Sequence, residues 1–161
     1  LLFNIITNTP IWVFILFFFL LFLGFQQTKD KKISLKRLFI LPIAMLFLSF
    51  IGVVSVFGID FLSISFYLLS LLFGVYLNNL LKLPLDSRYI EEENLFFIKG
   101  SFVPLFLIMC IFFTKYFVGV VTARELIFIN SIYFVSIVSF LYGFFSGMFF
   151  GRIFVLRKML N

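Results

Sequence analysis

This sequence predicts an all-α, polytopic integral membrane protein with five transmembrane helices, its N-terminus outside and its C-terminus in the cytoplasm. Three observations carry that prediction. Hydrophobic residues make up 63% of the chain and charged residues 12%, with a mean hydropathy of +1.22, so a water-soluble globule would lack polar surface. Five apolar stretches approach the roughly 20 residues a helix needs to cross a hydrocarbon core about 30 Å thick. Finally, Phe14 to Leu23 is continuously apolar, without the alternation of a β-barrel strand.

One transmembrane domain over residues 1–161 is expected, with spans near 10–25, 38–56, 61–81, 101–121 and 123–151. Leu1 to Asn8 is a lead-in without positive charge or a small-residue cleavage site, so no secretory signal peptide is expected. The first span opens at Thr9-Pro10-Ile11-Trp12, with the Thr9 hydroxyl as N-cap and proline at the first helical position, where no N–H is needed. Trp12 then falls near a water interface. Gln26 to Arg37 reads as a basic polar linker, and the second span carries Pro42 in its first turns. Gly58-Ile59-Asp60 is a tight turn whose aspartate caps the third span. Lys82 to Lys99 is the longest polar linker, and its run Glu91-Glu92-Glu93 reads as a solvated loop. The fourth span begins at Gly100-Ser101 with Pro104 in its first turn. Thr122-Ala123-Arg124-Glu125 has capping-box spacing and would open the fifth.

Orientation follows from the basic residues, which are retained on the cytoplasmic side of span ends. Five of the thirteen lie in the first linker, three in the second and three in the C-terminal tail, leaving Lys115 and Arg124 on the other side. Such a distribution orients a multi-pass membrane chain with both polar linkers and the C-terminal tail on the cytoplasmic side. It also argues against nucleic acid as the partner of the +6 net charge.

Composition removes most chemistry. With no histidine, the commonest general base and transition-metal ligand is missing, and the lone Cys110 sits in an apolar run without a basic neighbour in sequence. No phosphate-binding glycine loop, nucleophile elbow or metal-ligand cluster is found. Neither an enzyme nor a cofactor is expected. Phenylalanine, with 29 residues, reflects codon bias in an AT-rich genome better than a functional aromatic stripe.

Four features could carry function. Ser139, Gly143, Gly147 and Gly151 recur every fourth residue on the fifth span, a small-residue ridge that lets helix backbones approach closely where lipid gives little drive for association. Packing within the chain, a homodimer seam, or a ligand or partner-protein site are the three uses open to it. A weaker ridge of Ser70, Gly74 and Asn78 on the third span is the candidate to meet it. Lys115 lies inside the fourth span, where an ionisable group is a functional hypothesis by default. It could snorkel outward, pair with Asp60 or Glu125, bind a lipid headgroup, or serve with Asn78 as a polar station on a solute path. Arg152 is an inner-interface anchor or an anionic-headgroup contact. The first and last pairs of spans show no inverted repeat.

Thr9-Pro10-Ile11-Trp12-Val13, a span closing in Leu23-Gly24, Gly100-Ser101-Phe102-Val103-Pro104, Lys115-Tyr116, and Leu141-Tyr142-Gly143 followed by Gly147 and Gly151-Arg152 stand in this order along the chain. In that order and spacing, over nearly the whole chain, the sequence resembles a family of small bacterial inner-membrane proteins known only as a domain of unknown function. The resemblance implies a bacterial cytoplasmic (inner) membrane and a stand-alone multi-span protein, and it supplies no activity, cofactor or catalytic residue. The heavy Phe content departs from members richer in Leu and Ala. The preferred functional expectation is an interaction or scaffold module packing through the glycine ridge, with the bilayer, a second copy or another membrane protein as partner. The alternative is a small transporter or channel.

Overall fold

The structure, a computed structural model, describes residues 9–160; the lead-in expected over Leu1 to Asn8 lies outside the described residues. Five α-helices form among them: α1 (Ile11–Gln26), α2 (Leu35–Phe57), α3 (Phe61–Leu81), α4 (Val103–Ala123) and α5 (Ile132–Arg157). The last four are long and apolar enough to cross a membrane. At about 1.5 Å per residue, the 16 residues of α1 rise about 24 Å, short of a full hydrocarbon core.

Helix ends follow local chemistry, in four places differently from the sequence expectation. Pro10 stands before α1 rather than within it, in an extended conformation, and the Thr9 hydroxyl bonds the Tyr116 hydroxyl at 2.8 Å instead of capping α1. Asp60 caps α3 as expected, accepting from the backbone N–H of Leu62 at 3.0 Å and of Ser63 at 3.4 Å. The expected capping box at Thr122 does not form. Thr122 lies within α4 and donates to the Val118 carbonyl at 2.8 Å, the back-bond a helical threonine makes when its own turn is complete. The chain then passes through a 3₁₀ turn, Ile127–Asn130, and Ser131 caps α5 by accepting from Phe134 N–H at 3.2 Å. The helix expected from 123 thus begins at Ile132, and α5 continues past Gly151 to Arg157. Likewise α2 begins at Leu35 rather than 38, which sets Pro42 in the helix interior, buried.

A larger departure lies in the two polar linkers, which pair with each other. Strands β1 (Lys31–Ile33), β2 (Arg88–Ile90) and β3 (Leu95–Ile98) form an antiparallel sheet in the order β1-β3-β2, with Lys31 opposite Ile98 and Tyr89 opposite Phe96. The chain is mainly helical, as expected, with a small sheet that the all-α expectation did not include. Alternation is the physical reason: Phe96 and Ile98 point inward and are buried, while Leu95 and Phe97 on the other face are only partly covered. The inward pair joins Leu38 and Leu156 in a small second core, so the sheet roofs one end of the helices.

The main core lies between helices. It joins Leu20 of α1, Met45 and Val53 of α2, Tyr67 of α3, Leu107, Ile108 and Ile111 of α4, and Val138, Tyr142 and Phe149 of α5. Helix α5 is central, packed on α3 along the longest seam and also touching α2 and α4; α1 lies on α4.

Candidate functional site

The α5 ridge meets α3. A side chain added at Gly143 would overlap the Tyr67 carbonyl and the Ser70 hydroxyl, and one at Gly147 would overlap the Leu71 carbonyl. From the other side, a Cβ on Gly74 would meet the Phe144 carbonyl and come within 2.9 Å of Met148 N. One on Gly151 would stand 2.7 Å from Asn78 Cβ. Ser139 is fully buried on the same face. Two interlocked backbones leave this ridge no open surface.

Three hydroxyls that the sequence did not single out fill the seam among α2, α3 and α5. Ser49 Oγ lies 3.0 Å from Tyr67 Oη and donates to the Leu46 carbonyl at 2.9 Å, while Ser146 Oγ donates to Ser49 Oγ. Small polar residues inside apolar spans are the signal that could have found them.

Asn78 is fully buried at the sheet-bearing end of the seam. Its side-chain amide donates to the Leu83 carbonyl at 3.0 Å, and its Oδ1 has no partner among the described residues. Asp60 is exposed at the opposite end, occupied by its cap. Lys115 is half-buried in α4 and makes no ion pair with Asp60 or Glu125; the described ion pairs are Lys32 to Glu93 at 2.7 Å and Lys99 to Asp86 at 2.8 Å. These residues are not brought together into one site.

Two cation-lined cavities stand at opposite ends. Near Lys115, a groove of about 520 Å³ opens between α1 and α4, lined by Thr9, Trp12, Leu16, Tyr116 and Arg124. Under the sheet, a cavity of about 240 Å³ is lined by Gln27, Lys31, Arg37, Pro42, Phe149 and Arg152, among others, and no carboxylate is in its wall. Arg152 is only 8% exposed, its guanidinium 6.0 Å from the centre of the Phe149 ring. The Lys31 ammonium donates to the Gln27 side-chain oxygen. Burial, and secondarily the positive charge of Arg152, pull its pKa down to about 8.

A family model matches residues 1–160 of the chain. The chain belongs to DUF6622, a family of unknown function. No curated protein and no solved structure matches it. Membership thus carries no activity to these residues, and the chemistry of the two cavities has to be read from the family member itself.

Proposed function

We propose that this DUF6622 member is a five-span protein of the bacterial cytoplasmic membrane that acts by binding a partner, neither conducting a solute nor catalysing a reaction. In this reading the sheet, both basic linkers and the C-terminus face the cytoplasm, and the N-terminus lies outside. Support for α1 as a span, despite its length, comes from its two ends. Gln26 and Gln27 border the cavity under the sheet, whereas Thr9 and Trp12 border the groove beside Arg124. The α5 ridge, interlocked with α3, makes the scaffold rigid, and a partner meets the bundle elsewhere.

The observation that carries the reading is the packed apolar centre. Leu20, Met45, Ile108, Ile111 and Phe149 are buried together between the two cation-lined ends, and three of the hydroxyls beside them, those of Ser49, Tyr67 and Ser146, bond one another. A polar path needs stations that converge, and Lys115 and Asn78 do not.

The groove at Lys115 is the one observation that favours transport. Purification from native membrane in mild detergent, followed by reconstitution, separates the two readings. Binding predicts a companion, protein or lipid, retained at fixed stoichiometry, and no solute flux above that of empty vesicles. It also predicts that Lys115→Gln stays folded and active, since no buried carboxylate is orphaned. A selective flux that vanishes in Lys115→Gln would overturn it.

A further inference from the structure

The cavity under the sheet has a more specific chemistry. Arg152 projects from α5, Lys31 from β1 and Arg37 from the start of α2, so three cations from three elements border one space, joined by the amide of Gln27. Among the described residues, no hydrogen bond or ion pair reaches Arg152. A guanidinium keeps its charge in proteins and cannot escape burial by losing a proton, and a buried charge left unpaired is costly. Only 8% of the residue is exposed, too little for bulk water to solvate the charge fully. The geometry leaves room for the missing counter-charge: about 240 Å³ is far above the roughly 10–15 Å³ that a single water needs.

We infer that Arg152, Lys31, Arg37 and Gln27 form a binding site for a phosphate group, which in the membrane is the phosphate of an anionic lipid headgroup. A phosphate projects oxygens in several directions and can meet donors from α5, β1 and α2 at once, whereas a carboxylate offers two oxygens in one plane. The lower wall, of Leu38, Leu41, Pro42, Phe149 and Ile153, is apolar, as suits a headgroup whose remainder continues into hydrocarbon. The inference depends on the membrane reading only for the source of the phosphate. Solute flux would end the binding reading and leave this site measurable.

The test uses the full chain in nanodiscs of phosphatidylcholine, with and without phosphatidylglycerol, and in phosphatidylcholine with added inorganic phosphate. The readout is the thermal midpoint. Phosphatidylglycerol should raise it by about 5 °C, and Arg152→Gln and Lys31→Gln should each lose most of that rise, while Lys158→Gln, an exposed tail cation, keeps it. Should Arg152→Gln fail to fold, Lys31→Gln carries the comparison from the bundle's rim. A rise given equally by inorganic phosphate would support the site and assign it to a free anion. Absence of any rise with either, or a rise kept by both variants, would overturn the inference.

Discussion

The two ends of the bundle each hold cations beside a cavity, yet they are built in different ways. At the sheet end, α1, α2, α5, β1 and β3 converge, and Gly100 is so tight against the Thr28 backbone that no side chain would fit. Asp30 holds Gly100 N–H at 2.7 Å, and surface ion pairs tie Lys32 to Glu93 and Lys99 to Asp86. The opposite end is made of helix caps and short turns, with Ile127 fully exposed and the Lys115 groove formed by α1 and α4 alone. Tertiary structure is invested at the end that carries most of the positive charge. A cavity assembled from several elements holds its cations in fixed places, whereas a groove between two helices leaves a lysine free to reorient.

The largest expected difference between the ends is in what a glycine tolerates. Gly151→Leu, against Asn78, and Gly147→Leu, against the Leu71 carbonyl, should each cost about 3 kcal/mol or prevent folding, because neither a carbonyl nor a Cβ fixed to its backbone can yield as the far end of a side chain can. Gly119→Leu, in the groove and with nothing within 4 Å of its added Cβ, should be neutral or stabilise by up to about 1 kcal/mol through helix propensity. Folded yield and thermal midpoint in detergent give both. Equal tolerance at all three positions would erase the distinction.

Next in size is the Asp60 cap. Asp60→Ala should cost about 1 kcal/mol by leaving the Leu62 and Ser63 N–H groups without their acceptor. On the sheet end, Glu93→Gln should change stability by less than about 0.5 kcal/mol, since its pair with Lys32 is exposed. Chemical unfolding of the two variants compares them directly.

These contrasts also mark what the sequence could reveal. Spans are legible because an apolar run of membrane length has few other fates, and the α5 glycines are legible because their spacing repeats on one helix face. The Asp60 cap stood out for a similar reason, being a carboxylate in a tight turn directly before an apolar run. The sheet was hidden: its strands have three or four residues each, lie within polar linkers, and pair Lys31 with Ile98 across two intervening helices. Nothing local announces such a pairing. The Thr122 motif misled because one hydroxyl can cap a following turn or bond back to the preceding one, and only the run from Leu126 to Ser131 decides between them. Arg152 could be read as an interface residue, but its neighbours Lys31 and Arg37 come from the far end of the chain, so the cavity they share exists only once α5 and the sheet are folded together.

A further expected effect concerns pH. Because Lys31 titrates near pH 8 when folded and near its ordinary 10.5 when unfolded, the unfolded chain binds more protons between those values, and stability should rise with pH across that window. Below pH 8 both states are charged and the penalty is complete. Thermal midpoints between pH 7 and 10 should therefore climb in the native chain and stay flatter in Lys31→Gln. Saturating phosphatidylglycerol should also flatten the climb by holding the ammonium charged.

The central claim is that the sheet-capped end faces the cytoplasm and the Gly58–Asp60 turn faces outward, and cysteine labelling in intact cells tests it most directly. In a Cys110→Ser background, an impermeant thiol reagent should modify Ile59→Cys, in an exposed turn that keeps the Asp60 cap, and should leave Ser34→Cys and Ser87→Cys unmodified until the cells are opened. Modification at position 34 or 87 in intact cells, with none at 59, would contradict the account.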